Sequence, residues 1–391
     1  MFSCICKKLQ YGSSVVKSSP RLQLYFHQNH PLSSSSTILE SISNTANEHS
    51  FTVSYLINSC GFSLEKALSA SKDVNFEAPD KPDSVLNFFK NHGFTETQIS
   101  NMTNRDPSVL LCDPRETLLP KFDFFQSKGI SNLDIAKMLS STPSILRRSL
   151  ENQIIPSFDF FKNWLESDDD TVFAIKRFHK LLLHDLQTYV APNIEILREL
   201  GVPESNLVVL LKYHPRVFMT KSDRFKEIVE EVKKIGINPI TMKFVQAVQA
   251  MRGMSRLTWK KKVELYKKWG WSENDVLTAF GKHPWCMTAS EDKIMGVMDF
   301  LVSKMGLDSS VIARRPDIIS LSLDKRIVPR CSVYQALLEK GLITKDFSLR
   351  RMLESTEQLF LKKFVECFEE EASELLKLYQ EKLELSVYDV D

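Results

Sequence analysis

Apolar residues recur at helical spacing in short segments that Pro and Gly residues separate. After Pro120, residues 122–125 (Phe-Asp-Phe-Phe) begin an apolar helix face that ends before Gly129. Ser131 then suits the N-cap of a second helix over 132–139, which stops before Pro143 because the residue ahead of a proline is forced out of the helical region. The Pro-x-apolar-apolar segment that follows is short enough for one 3₁₀ turn. The pattern therefore predicts a unit of helix, helix and tight turn.

This tight turn recurs along the chain and identifies an internal repeat. Residues 106–110 (DPSVL) and 142–146 (TPSIL) match at a separation of 36 residues. We call the place of their proline the turn position. It is occupied in successive units by Pro107, Pro143, His179, Pro215, a degenerate position near Met251 or Arg252, Pro284 and Pro316. The interval is 36 residues in the first units and shortens to about 32–33 in the last ones.

Two further columns keep the same register. Thirteen residues after the turn position stand Pro120, Pro156, Pro192 and Pro329. Fourteen residues before it stand Gly93, Gly129, Gly201 and Gly270, with Leu165 in that column once. A proline is tolerated in the first turn of a helix, and a glycine ends a helix by adopting the left-handed conformation. The two columns therefore predict where the first helix of each unit begins and ends.

One such unit cannot bury its apolar face alone, so neighbouring units must stack. We predict an all-α fold: a solenoid superhelix of helix-helix-3₁₀ repeats of about 32–36 residues, over 51–365. Residues 51–76 predict a capping half-unit, because Gly61 is followed by the helix-forming run 63–68 (SLEKAL). Tetratricopeptide units fit less well, since their Trp/Gly/Tyr/Ala pattern is absent, and pentatricopeptide units lack the recurrent proline.

The Pro-x-apolar-apolar turn, the glycine column and the run from Tyr55-Leu56-Ile57 to Gly61-Phe62-Ser63-Leu64-Glu65-Lys66-Ala67 resemble the mitochondrial transcription termination factor (mTERF) family, in its plant branch. The resemblance covers most of the chain. It implies an α-helical superhelix with a concave groove that binds nucleic acid in an organelle and affects transcription or transcript processing.

Composition changes the picture at the two ends of the chain. The formal net charge of the 391 residues is only +2. Residues 1–39 contain no Asp or Glu and are rich in Ser and weakly basic, which is typical of an organellar transit peptide. The alternative is a disordered N-terminal tail that carries no targeting signal. We place the protein in the mitochondrion, with the chloroplast as the alternative, and assign 1–50 to this leader. Residues 366–391 form an acidic tail with nine acids and two bases, expected to be a solvated helix.

Without these ends, residues 51–365 carry 45 basic and 38 acidic side chains, so the repeat region is positive. No run approaches 18 consecutive apolar residues, and no membrane partner is expected. The seven cysteines are scattered without a CxxC pair, so neither a zinc site nor a disulfide framework is indicated. Glycine is scarce, and the common phosphate-binding and hydrolase motifs are absent. We therefore predict no enzyme activity, no metal and no cofactor.

Basic residues recur at the repeat period in the C-terminal half, as phosphate contacts require. Nine residues after the turn position stand Arg224, Lys261, Lys293 and Lys325, counting the degenerate turn at 252. The same column holds Glu116, Asn152 and Thr188 in earlier units. Neighbouring cations reinforce the column: Lys221, Arg256, Lys260, Lys262 and Arg326. A second set surrounds the tight turns: Arg147, Arg148, Arg216, Arg314 and Arg315. The alternative for each is a solvated helix face with i,i+4 partners.

Other candidate residues are interpreted as structural. Phe124, Phe125, Phe160 and Phe161 have core spacing, and core packing is favoured for the tryptophans as well. His179, His214 and His283 lie at or beside turn positions, which indicates turn residues rather than bases or ligands. Residues 168–170 (Asp-Asp-Asp) are expected in a solvated loop or helix cap.

The predicted function is organellar nucleic-acid binding that regulates gene expression, through transcription termination or transcript processing, by a monomer. Its partner is organellar DNA or RNA, together with other gene-expression proteins. The alternatives are a helical scaffold that binds proteins and a factor for group II intron splicing or RNA folding.

Overall fold

The computed structural model describes residues 51–344 and 348–388, with side chains to residue 384. The leader predicted for 1–50 lies outside the described residues. Within them the chain is helical throughout and contains no strand, so the all-α solenoid prediction is confirmed. The helices, paired by unit, are α1 (Phe51–Cys60) and α2 (Leu64–Ala70); α3 (Asp80–Asn91) and α4 (Glu96–Arg105); α5 (Leu119–Ser127) and α6 (Asn132–Ser141); α7 (Ile155–Leu165) and α8 (Asp168–Arg177); α9 (Leu186–Tyr189) with α10 (Ala191–Glu199), and α11 (Glu204–Tyr213); α12 (Ser222–Lys234) and α13 (Met242–Arg252); α14 (Arg256–Lys267) and α15 (Glu273–Lys282); α16 (Glu291–Met298) and α17 (Ser309–Arg314); α18 (Val328–Glu339) and α19 (Leu349–Glu354); α20 (Glu357–Phe364) and α21 (Ala372–Tyr388).

The tight turns have the predicted conformation. Each Pro-x-apolar-apolar segment forms a short 3₁₀ helix that begins at the turn position. These are Pro107–Leu111, Pro143–Arg147, His179–Leu183, Pro215–Phe218, Pro284–Met287 and Pro316–Ser320. The predicted N-caps are also present: the side chains of Thr95, Ser131 and Ser272 each accept a hydrogen bond from the backbone N–H three residues later.

The proline column marks the first turn of an α-helix, as predicted: each of these helices has its proline at the first or second position, at Pro120, Pro156, Pro192 and Pro329. In three units, however, the helical rod begins before this α-helix. A π-helical turn precedes it at Pro114–Leu118, Leu150–Ile154 and Leu323–Ile327, and the α-helix that contains Pro120, Pro156 or Pro329 continues from there. A proline has no N–H to donate, and its ring collides with the carbonyl four residues earlier. The wider π turn removes that collision, so the rod begins before the proline.

Residues with left-handed backbone end the first helices at intervals of 34 to 37 residues. They are Gly93, Gly129, Glu166, Gly201, Gly236, Gly270, Gly306 and Gly341. Two corrections follow. The residue that replaces glycine is Glu166 (φ 54°), not Leu165, and Gly236 and Gly306 fill units in which the sequence column was empty. The turn between the two helices of a unit therefore recurs at a nearly constant interval along the chain. The number of residues between it and the next tight turn varies from unit to unit.

The degenerate unit lacks a tight turn. Helix α13 ends at Arg252, and α14 begins at Arg256 after only three residues. The column nine residues after the turn position therefore shifts in this unit. Arg224, Lys293 and Lys325 each lie three residues after the N-cap of their helical segment, but Lys261 lies six residues after the N-cap Ser255. Thr258 occupies the equivalent place, so the assignment of Lys261 to this column is wrong.

Buried polar side chains bind some units to the next. The amide of Asn193 donates to the carbonyl oxygens of Phe218 (2.8 Å) and Thr220 (2.7 Å). The ammonium of Lys262, a residue only 6% exposed, donates to the carbonyl oxygens of Met287 and Ala289. In both cases the acceptors lie 25 and 27 residues after the donor. Because the carbonyls that follow a tight turn have no partner in their own helix, these bonds satisfy groups that burial would otherwise leave unpaired.

The acidic segment after 365 is not the solvated tail that its composition predicts. Leu375 and Tyr379 of α21 are buried, and they pack with Val333 and Leu337 of α18. Lys340 forms ion pairs with Glu371 and Glu374. The acidic helix therefore covers the apolar face of α18, as a neighbouring unit does elsewhere in the stack.

We expect Glu166→Gly to stabilise the protein by about 0.5–1 kcal/mol. Glycine adopts the left-handed conformation without the steric cost that an L-residue has. It also increases the conformational entropy of the unfolded chain, but this opposing effect is smaller. Urea unfolding followed by circular dichroism measures the change. Gly129→Ala is the matched control: nothing lies within 4 Å of the added Cβ, so its φ of +80° alone should destabilise the fold by about 1 kcal/mol. Equal stability of Glu166→Gly and wild type would contradict a strained Glu166.

Candidate nucleic-acid interface

Three of the candidate cations carry ion pairs. Arg147 contacts Asp106 at 3.1 Å. Arg224 and Arg256 share the carboxylates of Glu227 and Glu231, at distances from 2.7 to 3.9 Å. Such exposed pairs are weak, because water screens them and ordering the side chains costs entropy. A polyanion can therefore still recruit these arginines.

Three further candidates have structural contacts. The ammonium of Lys293 donates to the carbonyl oxygen of Ser320 at 2.9 Å, which joins α16 to the next tight turn. Arg314 donates to the Ser310 hydroxyl within α17. Lys262, expected to reinforce the basic column, points inward instead. Its ammonium donates to the carbonyl oxygens of the buried Met287 and the half-buried Ala289, so it does not belong to the surface.

The other candidates on helices and turns are available to a ligand. Within the described part of the chain, no carboxylate lies within ion-pair distance of Arg148, Lys221, Lys260, Lys261, Arg315, Lys325 or Arg326. All of them are exposed except Arg326, which is half-buried. Lys221 occupies the N-cap of α12, where the equivalent residues of other units are Asp113, Ser149, Asp185, Ser255, Ser290 and Ser322. A lysine cannot accept the capping bond, so this position contributes charge at the expense of a cap.

The structure brings three arginines from consecutive segments into one cleft. Arg216 of the fourth tight turn, Arg224 of α12 and Arg252 at the end of α13 line an open cleft of about 600 Å³ together with Met219, Thr220, Ile228, Gly253, Met254 and Ser255. Sequence reasoning identified Arg216 and Arg224 as site residues but used Arg252 only as a degenerate turn position. The missing turn was the signal, because it places a cation where other units have proline.

Basic residues of the N-terminal units are engaged between repeats. Arg105 and Arg177 donate to the carbonyl oxygens of Ser141 and Tyr213, each 36 residues ahead. Lys176 pairs with Asp134 and Lys212 pairs with Asp170, both at 2.6 Å and both 42 residues apart. These contacts repeat with the unit, so they hold the stack together. The available positive charge is consequently greater in the C-terminal half.

The residues interpreted as structural have that role. His179, His214 and His283 bridge to Ser141, Gln249 and Ser320 in adjacent units, at 2.6 to 3.0 Å. Residues 168–170 do not form the expected loop but the first turn of α8. Asp168 pairs there with Lys162 and Asp170 with Lys212. Carboxylates suit this place because they face the positive end of the helix dipole.

These three histidines predict a pH-dependent stability. Burial, and in each case a nearby cation (Lys180, Arg177 or Lys243), lowers the pKa of the imidazole below its ordinary value of 6.5; at His283, Asp317 opposes the shift. Below pH 6.5 the unfolded chain therefore binds more protons than the folded chain. The free energy of unfolding is consequently unaffected by these histidines above pH 6.5 and decreases as the pH drops below it. Urea unfolding at about pH 7.5 and about pH 5.5 measures this loss. The triple variant with glutamine at these positions should lose less; an equal loss would assign the effect elsewhere.

The aromatic side chains pack mainly in the core. Phe125, Phe158 and Phe161 are fully buried, Phe160 is nearly so, and Phe124 packs against Phe158. Trp271 stacks on Tyr266 at 4.5 Å between ring centroids. Among the described residues no group of three His, Cys, Asp or Glu side chains is placed to hold a metal ion. None of the described helices is long and apolar enough to span a membrane.

Comparison with known proteins agrees with this architecture. The mTERF family model matches residues 86–294 and 215–361, which together make up more than half of the chain. Two proteins of Arabidopsis thaliana are similar in sequence. The mitochondrial transcription termination factor MTERF15 is 24% identical over 182 residues, 42% of this chain and 41% of that protein. The chloroplastic factor MTERF8 is 24% identical over 169 residues, 43% of this chain and 33% of that protein. The matched part thus spans less than half the length of each relative.

Proposed function

This chain belongs to the mTERF family, and from that premise we propose that it binds DNA or RNA inside an organelle and regulates gene expression there. The names of its relatives support a role in transcription termination, and they place one relative in the mitochondrion and one in the chloroplast. We propose the mitochondrion for this chain, with its first 50 residues as the import signal. The protein performs no chemistry in this proposal.

The observation that carries the proposal is the unequal use of positive charge along the stack. In the N-terminal units, Arg105, Lys176 and Arg177 are bound to groups of adjacent repeats. In the C-terminal units, Lys221, Lys260 and Lys325 are exposed and have no carboxylate partner among the described residues. Exposed cations on neighbouring units can contact successive phosphates along a nucleic acid, and each contact releases condensed counterions.

The mechanism is electrostatic. Exposed lysines on the C-terminal units and arginines around the tight turns contact the sugar-phosphate backbone and fix the position of the protein on it. Because these contacts ignore base identity, specificity has to come from arginines that reach base edges. A protein held in this way obstructs a polymerase, which is the termination role, or holds a folded transcript, which is the processing role.

The test is direct binding by the full chain. Fluorescence anisotropy with labelled duplex DNA, single-stranded DNA and structured RNA of organellar sequence should show binding to at least one of them. Its affinity should fall steeply between about 50 and about 200 mM salt. Crosslinking in isolated organelles and sequencing of the recovered nucleic acid then identifies the target and separates DNA from RNA. A chain that binds none of the probes at low salt but retains its fold would contradict the proposal and favour the protein scaffold.

A further inference from the structure

We propose that the cleft lined by Arg216, Arg224 and Arg252 is a specific site for one backbone phosphate, held between Arg216 and Arg252. The inference rests on the proposed function and adds to it a ligand group and a location. A phosphate site in this cleft would contribute affinity for nucleic acid without recognising the base sequence.

The composition of the cleft suits an anion. Its lining contains three guanidinium groups, the hydroxyls of Thr220 and Ser255, and no carboxylate. The nearest acids that any of these arginines contacts are Glu227 and Glu231, and both bind Arg224. Arg224 is therefore neutralised at the edge of the cleft, whereas the charges of Arg216 and Arg252 are not balanced by an ion pair among the described residues.

Arg252 is held in the cleft by a hydrogen bond. Its Nε donates to the Thr220 hydroxyl at 2.9 Å, which fixes the guanidinium in a half-buried position and leaves its two terminal nitrogens for another acceptor. Burial, and then the charge of Arg216, lowers the pKa of Arg252. Two like charges in a partly desolvated cleft repel each other, and an anion between them relieves that repulsion.

The two arginines suit a phosphate better than a base. A guanidinium matches phosphate oxygens in a two-bond geometry, and an arginine that reads a guanine must extend into a groove to reach the base edge. Arg252 is half-buried and fixed by Thr220, and the guanidinium of Arg216 lies 5.9 Å from the centre of the Phe178 ring. Both side chains are thus held against the protein surface. Two restrained cations that line one cleft fit a phosphate on the outside of a nucleic acid better than a base within it.

The position of the cleft is built by the repeat itself. The carbonyl of Thr220 accepts a hydrogen bond from the buried Asn193, while the hydroxyl of the same residue accepts from Arg252. Thr220 is therefore held by Asn193 of the preceding unit and by Arg252 of α13. This makes the site pre-formed, so that little ordering is needed when a phosphate binds.

The experiment compares Arg216→Gln and Arg252→Gln with the control Arg105→Gln, which removes an exposed arginine from an N-terminal unit. Anisotropy is measured against two short DNA duplexes of unrelated sequence and two unrelated RNAs, over a range of salt. Each cleft variant should bind about tenfold more weakly than wild type on both sequences of the class that binds. The slope of log affinity against log salt should fall by about 1. The control should behave like wild type.

Other outcomes overturn the inference in distinguishable ways. If wild type binds and both cleft variants match the Arg105 control, the cleft holds no phosphate, while the proposed function stands. If the loss is confined to one sequence, the arginines read bases and the phosphate assignment is wrong. If wild type binds no probe, the proposed function fails together with the inference. Because Arg216 is exposed, its variant tests the cleft even if Arg252→Gln impairs folding.

Discussion

Arg330→Met is expected to destabilise the C-terminal units by about 3–5 kcal/mol, because it removes a buried cation from its partners. Arg330 is 0% exposed and donates to the carbonyl oxygens of Met352, Leu353 and Ser355 and to the carboxylate of Glu357. Its guanidinium also lies over the ring of Phe360, at 4.6 Å from the centroid. The substitution leaves three carbonyls without their donor and one carboxylate without its cation.

Amide hydrogen exchange is the suitable measurement, since repeat units unfold locally. Exchange in the helices Leu349–Glu354 and Glu357–Phe364 should accelerate by about two to three orders of magnitude, and helices of the N-terminal units should be unchanged. Arg350→Met is the matched control, because Arg350 makes one surface ion pair with Glu354, and exposed pairs of this kind contribute little to stability. Similar exchange in the two variants would show that the buried bonds of Arg330 contribute little.

Replacement of Lys221, Lys260, Lys261 and Lys325 by glutamine is expected to weaken nucleic-acid binding by about 100- to 1,000-fold at low salt. If each lysine contacts one phosphate, the slope of log affinity against log salt should also fall by about 3 to 4. The four residues are exposed and have no carboxylate partner among the described residues, so their removal should leave the fold intact. Anisotropy titrations at several salt concentrations measure both quantities.

The control carries the same change of charge in a different place. Lys66, Lys72, Lys81 and Lys137 are exposed lysines of the N-terminal units, and their replacement by glutamine also removes four positive charges. If the interface is confined to the C-terminal units, replacing these N-terminal lysines should weaken nucleic-acid binding only slightly. If both sets weaken binding equally, net charge rather than a localised surface determines affinity. Charge reversal of Lys261 and Lys325 alone should give a smaller loss in the same direction.

Much of the architecture was predictable because its signals are local. A proline at Pro107 or Pro143 restricts its own backbone and that of the preceding residue, and a serine such as Ser131 caps the helix that follows it within three residues. These effects need no neighbouring unit, so the tight turns and second helices were predicted correctly. The π turns before Pro120 and Pro156 were missed because they relieve a collision inside the rod, which the residue pattern does not display.

The candidate interface was predictable only in part. Lys261 and Lys262 are adjacent in the chain, yet Lys261 is exposed and Lys262 binds two carbonyls of the next tight turn. Their helix, α14, starts without a preceding tight turn, so a count from the turn position misplaced them. Arg252 was overlooked for the same reason. The partners that join one unit to another lie 22 to 42 positions away, as for Arg330 and Lys212, and only the stacking of units brings them together.

The sequence by itself therefore determined the repeating unit, the all-α fold and the family, because each depends on backbone preferences that act within a few residues. The tertiary structure decided which cations face a ligand. It directed Lys262 and Arg330 into the core, bound Lys293 to Ser320, and brought Arg216 and Arg252 together in one cleft. The physical reason is that a charged side chain is positioned by the carbonyls and charges it meets in the adjacent unit, and these are set by the packing of one repeat on another.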